Sequence, residues 1–311
     1  MLEYSHIPVM LREVIDGLNI LPNGIYCDLT LGGGSHSEAI AEKLTTGKLI
    51  SFDRDADAIQ YSSDKLSKYA DRITFVHDNY ANIKADLASF GIAAVNGVLI
   101  DAGVSSYQID NAERGFSFSS LRPAVIDMRM DQSQPLDAKQ VVNTYDKATL
   151  ADIFFKYGEE RYSNRIADAI VKRRESAPIE TTTELSNIIE YAVRGVKTDG
   201  SQYMRIYQAL RIYVNGELDA LQTAINDAVE LLVSGGRLCA MSFHSGEDRI
   251  LKKSFNFYEK GCTCPVEFPV CVCGNKPIGK VITRSPIVPG DTELRDNPRS
   301  HSAKLRIFEK I

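Results

Sequence analysis

The apolar positions of the first hundred residues alternate between two patterns. Residues 25–31, 48–53, 72–77 and 95–101 are short apolar stretches of strand length. Between them, 37–44, 55–68 and 81–90 carry the mixed apolar and polar spacing of helices, and Gly47 and Gly91 stand where such helices should stop. This β-α-β-α order predicts a parallel sheet with crossover helices.

The rhythm breaks after Asp101. Residues 105–200 contain helical patterns at 146–157, 161–175 and 183–194, punctuated by Pro123, Pro135 and Pro178, and no convincing strand. A long helix is expected from about 203 to 232. Leu210, Val214, Leu218, Leu221, Ile225, Val229 and Leu232 share its apolar face, and Gly216 inside it costs roughly 1 kcal/mol against Ala. Gly235-Gly236 should end that helix. Residues 237–243 then read as a buried strand, 248–258 as a helix, and 280–283 and 304–309 as closing strands. The expected organisation is an α/β core from 1–105 and 203–311, interrupted by a helical insertion at 106–202.

Composition narrows the class. The chain has 311 residues with 44% hydrophobic and 25% charged, enough for one large α/β domain carrying an insertion. No signal-peptide pattern opens it and no apolar run approaches the roughly 18 residues of a membrane span, so a cytoplasmic protein without a membrane partner is expected. A net charge of −5 argues against binding nucleic acid by bulk charge. The balance is uneven: residues 249–311 hold twelve Lys/Arg and six Asp/Glu, a local phosphate-facing surface or simply solvated faces.

The chemistry starts at DLTLGGGSHSEAI. A strand, a glycine turn at Gly32, Gly33 and Gly34, then a helix brings backbone N–H groups close to a ligand at the positive helix end. Asp53 ends the second strand about 20 residues later, where a carboxylate accepts from ribose hydroxyls; the alternative is a helix cap, a role Asp55 fits equally. Tyr80 follows the third strand as an aromatic face for an adenine, and Asp101 ends the fourth. A nucleoside ligand follows, either S-adenosylmethionine or a nicotinamide dinucleotide. Ser37 occupies the third position of the dinucleotide G-x-G-x-x-G pattern, which disfavours a pyrophosphate.

Longer strings are more specific. HIPVMLREV, DLTLGGGSHS, FDRDADAI, LIDAGVSSYQIDNAERGFSF, IDMRMD, YGEERYSNRIADAIVKRR, YQALRIYVNGEL, GGRLCAMSFHSGEDRI and NPRSHSAKLRIFEK occur in this order over nearly the whole chain. In them the chain resembles the bacterial MraW/RsmH family of small-subunit (16S) rRNA cytosine-N4 methyltransferases. The resemblance implies a class I, Rossmann-like methyltransferase core with a helical insertion that recognises RNA. It implies S-adenosylmethionine bound by Gly34, Ser35, His36, Asp53, Tyr80, Asp101 and Gln108, and 16S rRNA or the small ribosomal subunit as partner, with monomer and homodimer both open. Departures are Ser35 for a family Gly, Tyr80 for Phe, Tyr107 for Pro, Gly246 for Leu, and SQYMRIYQALRI for HPATRTFQALRI, in which Arg205 keeps the family Arg. The other readings are a diverged paralogue acting on another RNA, a nicotinamide oxidoreductase, and a non-catalytic RNA-binding assembly factor.

For transfer to an exocyclic amine, an acceptor must bind an N–H, orient the lone pair and take the proton. Asp101 is the candidate. His244, after the fifth core strand, is a second, to stack on the base or relay the proton; its alternative is a hydrogen bond to the helix that follows, just as Glu247 and Asp248 are equally suited to capping. The target base must leave its stack, and Arg114, Phe116, Phe118 and Arg129 are expected at the rim of its pocket, with Arg205 a further RNA contact. Arg161, Arg165, Lys172, Arg173 and Arg174 either track phosphates or form a salt-bridged helix face. Finally, Cys262, Cys264, Cys271 and Cys273 form C-x-C-x6-C-x-C in a Cys-rich loop at 261–275, a pattern suited to a structural zinc in a reducing compartment. Cys27 and Cys239 read as core residues.

Overall fold

The computed structural model describes residues 8–117, 123–265, 268, 270 and 272–311. Among them, β1 (Ile25–Asp28), β2 (Lys48–Asp53), β3 (Ile73–His77), β4 (Val95–Asp101), β5 (Leu232–Ser242), β6 (Gly279–Val281) and β7 (Lys304–Lys310) form one seven-stranded sheet. The order is β3-β2-β1-β4-β5-β7-β6. Strands β1 to β5 are parallel, and β7 runs antiparallel between β5 and β6.

The chain winds outward from β1 through β2 to β3, then returns to the other side of β1 as β4. The strand order therefore reverses between β1 and β4. Such a switch point opens a crevice at the carboxyl ends of the strands, where ligands of open parallel sheets bind. β1 stops three residues earlier than its apolar run. Past Asp28 the chain still bonds both neighbours, Leu29 N–H to Leu99 O at 2.9 Å and Leu31 N–H to Phe52 O at 2.8 Å, while turning toward the glycines.

The chain divides into two compact units. One is Val104–Glu217; the other joins the described residues up to Gly103 with Leu218–Ile311. The sheet unit has an apolar core on each face of the sheet, and Cys27 and Cys239 are buried in them as expected. Burial pushes the Cys239 thiol up to about 12, so it is inert. The helical unit packs Val141, Leu150, Phe154, Ile166, Ile189 and Leu210 into its own core, and no strand forms within 105–200 among the described residues.

One expectation needs correction. The long helix is two helices, Gln202–Asn215 and Glu217–Leu231, broken at Gly216 with φ 58°. The single apolar stripe serves two cores: Leu210 and Val214 pack in the helical unit, while Leu221, Ile225 and Val229 pack against the sheet. The boundary of the insertion accordingly falls at Glu217, not at 203. β5 also begins earlier than expected, at Leu232, and runs through Gly235-Gly236. No helix among the described residues is long and apolar enough to cross a membrane.

Gly216 has open space around its Cα, so a side chain there meets only the backbone penalty of the left-handed region. Gly216→Ala is expected to lower the unfolding free energy by about 1 kcal/mol, read from the denaturant midpoint. An unchanged midpoint would contradict the requirement for glycine.

Candidate functional site

The glycine turn is held from its far side. Gly34, at φ 74°, caps the helix Ser35–Lys43 in the left-handed region. A Cβ on it would lie 3.0 Å from Ser62 Oγ and 3.1 Å from a Leu66 methyl. Ser62 Oγ donates to Gly32 O at 2.8 Å and Lys65 Nζ donates to Gly33 O at 2.9 Å. The helix Ala56–Lys65 thus fixes the turn through its carbonyls. Ser35, the departure from the family pattern, accepts from the same Lys65 ammonium at 3.3 Å.

Three carboxylates stand at the tips of adjacent parallel strands. Asp28, at the end of β1, is fully buried; it accepts from Thr30 N–H at 3.1 Å and from Ser37 Oγ at 2.7 Å. Asp53, at the end of β2, accepts from Gly32 N–H at 2.8 Å and Asp55 N–H at 2.9 Å. Asp55 caps the helix at 56, so Asp53 is not the cap. Asp101 ends β4, with its backbone N–H bonded to Thr30 Oγ1 at 2.7 Å. Loss of hydration dominates all three. It raises Asp28 and Asp53 to about 6. It raises Asp101 to about 8, with further contributions from the charges of Asp28 and Glu247.

Asp101 is the least satisfied of the three. Its Oδ1 is buried without a hydrogen-bond partner, and its Oδ2 lies 3.9 Å from His36 Nδ1. His36 Nε2 is 3.0 Å from Val9 O. A carbonyl only accepts, so Nε2 carries the proton and Nδ1 faces the carboxyl. Tyr80 opens the turn after β3 and packs half-buried beside the sheet core, with Asn79 capping the turn.

His244 follows β5 and takes the alternative role weighed for it. Its Nδ1 accepts from Gly246 N–H at 3.1 Å, and Glu247 returns the bond to the backbone of Phe243 and His244. Its Nε2 lies 3.1 Å from Glu247 Oε1. A Cβ on Gly246 would come within 3.1 Å of the His244 ring, so the departure at 246 suits this placement. Asp248 pairs with Arg306 at 2.8 Å instead of capping through its side chain.

The expected RNA contacts lie in the helical stretch of the chain, and the described arginines among them are engaged with the unit's own backbone and acids. Arg114 is 2% exposed and donates to Arg129 O and Met130 O at 3.0 and 2.9 Å. A side chain so buried is a backbone brace, which corrects its placement on a pocket rim. Arg129 forms a two-pronged pair with Asp127 and also donates to Gln132 O and Gln134 O. Arg205 joins Asp199 to the fully buried Glu160. Phe116 packs against the core of the unit, and Phe118 lies outside the described residues. Gln108 belongs to this unit too, where it forms a capping box with Ser105. Of the basic helix, Arg173 and Arg174 donate to backbone carbonyls and Lys172 pairs with Asp168.

Asp28, Ser62 and Lys65 were not among the expected site residues, and Ser37 was weighed only as the occupant of a glycine position, not as the partner of Asp28. Asp28 and Ser37 were visible only as a polar pair inside an apolar strand-turn-helix motif; Ser62 and Lys65 sit on the next helix and gave no signal. Elsewhere in the sheet unit, Cys262, Cys264 and Cys273 hold their sulfurs within 4.8 Å of one another; Cys271 lies outside the described residues.

A family model described as the MraW methylase family matches residues 3–311. A ribosomal RNA small subunit methyltransferase H from Finegoldia magna is 49% identical, covering 100% of this chain and 100% of that protein. A protein of the same name from Lachnospira eligens is 50% identical over 100% of this chain and 99% of its own length. One from Agathobacter rectalis, named ribosomal RNA small subunit methyltransferase H 2, is 48% identical over 99% of each.

Two outcomes follow from the geometry. Arg114→Ala leaves two carbonyls without their donor, at about 1–3 kcal/mol each. It is expected to lower the thermal midpoint of the RNA-free protein by several degrees, whereas loss of a mere surface contact would leave it unmoved. For the strand-tip acids, pKa values raised on folding mean that the folded state holds more protons than the unfolded chain above about pH 4. Their contribution to stability therefore falls as pH rises through about 6 and on to about 8. Asp101→Asn should flatten the upper part of that fall in midpoint-against-pH scans, and parallel curves would contradict the assignment.

Proposed function

The chain belongs to the MraW methylase family, and from that premise and its strand-tip chemistry we propose that it methylates the exocyclic N4 amine of a cytidine in 16S rRNA, using S-adenosylmethionine, in the cytoplasm. The observation that carries the reading is the trio Asp28, Asp53 and Asp101, with the unpartnered Asp101 Oδ1 among them. Desolvated acids at one crevice favour a ligand that brings positive charge and hydrogen-bond donors. S-adenosylmethionine supplies an electrophilic methyl on a sulfonium, together with an ammonium group and ribose hydroxyls. A dinucleotide would set a doubly charged pyrophosphate against the same acids, and Ser37, in place of the third glycine, is committed to Asp28.

Asp53 and the glycine turn would hold the ribose and methionine parts, with Tyr80 beside the adenine. The Gly32 N–H fixes how the Asp53 carboxylate points, and Ser62 and Lys65 keep the turn from relaxing. Asp101 is the acceptor: it takes an N–H of the cytosine amine, turns the lone pair toward the methyl, and receives the proton as the bond forms. Its raised pKa makes it a competent base near neutral pH. His36, 3.9 Å from Oδ2, orients that carboxyl. His244 is a positioning residue that shapes the end of β5 through its cap. The small ribosomal subunit or its rRNA is the partner, and Phe116, Arg129 and Arg205 act through the loops they brace.

Mapping of rRNA modifications by mass spectrometry, with and without the protein, tests the substrate. One cytosine N4-methyl should disappear; if none does, the substrate is wrong. With purified components, Asp101→Asn should lower kcat on the order of 10²-fold while binding of S-adenosylhomocysteine persists. Because the ionised carboxylate is the acceptor, kcat/KM should rise with pH through about 8. A flat profile would remove Asp101 from the role.

A further inference from the structure

The C-x-C pairs take no part in the chemistry above. They lie between the helix Ser245–Lys260 and β6, in a segment with little to hold it. Among its described residues no helix or strand forms, and its large apolar side chains point to solvent: Phe268, Val270 and Val272 are 52%, 70% and 72% exposed. Burial of these described side chains does not order the segment. The sulfurs nevertheless converge.

The spacing excludes a disulfide and fits a shared metal ion. Cys262 Sγ and Cys273 Sγ are 3.8 Å apart, and Cys264 Sγ lies within 4.8 Å of both. A disulfide needs about 2.05 Å. Sulfurs bound tetrahedrally to zinc at about 2.3 Å are separated by about 3.8 Å, the edge of the tetrahedron. Backbone N–H groups also point at the sulfurs. Val272 N–H donates to Cys264 Sγ at 3.3 Å, and Thr263 N–H donates to Cys273 Sγ at 3.4 Å. Each C-x-C pair thus offers an N–H to a sulfur of the other, which holds the two pairs in register. Asn275 Nδ2 bonds Thr263 Oγ1 at 3.1 Å and closes the same crossing.

We propose that Cys262, Cys264 and Cys273 bind one thiophilic divalent cation, zinc by the chemistry of the donors, which ties the two arms of this segment to each other. The three thiolates fill three positions of a tetrahedral site; Cys271 lies outside the described residues and is not assigned one. The role is structural, and the site stands or falls independently of methyl transfer.

The full chain, purified in reductant without chelator, is analysed for metal by plasma mass spectrometry. About one zinc per chain is expected, surviving gel filtration and falling to background in Cys262→Ser/Cys273→Ser. Cobalt loading should give the intense visible bands of tetrahedral thiolate coordination. Binding of S-adenosylhomocysteine checks that the variant is folded. Should the variant not fold, the wild-type protein decides: chelation must expose the chain between 260 and 279 to limited proteolysis, and added zinc must reverse it. Background metal with freely titrating thiols, a disulfide in the peptide map, or cleavage indifferent to zinc would each overturn the proposal.

Discussion

The sheet unit is organised around three carboxylates that parallel strands deliver, side by side, to one dehydrated edge. Asp28, Asp53 and Asp101 end β1, β2 and β4, and the register of those strands sets where each one stands. Backbone N–H groups and hydroxyls satisfy most of their oxygens. They do not replace the lost water, so the acids titrate well above their usual range. A site that holds its own protons tightly in this way is poised for a cationic, donor-rich ligand.

The glycine turn depends on the same acids. Gly32 reaches Asp53 through its N–H and Ser62 through its O, so the turn is stretched between β2 and the helix that follows it. Only Gly34 tolerates both the left-handed backbone and the approach of Ser62 and Leu66. The helical unit solves a different problem. Its buried Arg114 and its Arg129 and Arg205 pairs hold loops and helix ends together, and its basic helix is largely committed to carbonyls and acids. Guanidinium groups suit this because their fixed fork binds several oxygens at once.

Much of this was legible in advance. The strand-helix alternation located the parallel core, because strands buried on both faces leave continuous apolar runs. Asp53 and Asp101 were expected at strand tips, and β2 and β4 end on them; a strand tip beside a glycine turn is a recurrent ligand position. The Arg114 placement failed because an arginine in a polar loop looks the same whether it faces solvent or braces a backbone. The 203–232 helix failed because one apolar stripe can feed two cores, and only the left-handed turn at Gly216 separates them.

By itself the sequence determined the order of most elements and the family, since these follow from local periodicity and from strings too long to arise by chance. Tertiary structure alone decided which ionisable groups lose their water. That choice made Asp101 the unsatisfied acid, His244 a cap and Arg114 a brace. The physical reason is that desolvation and hydrogen-bond supply are properties of a place in the fold, set by residues far apart in the chain.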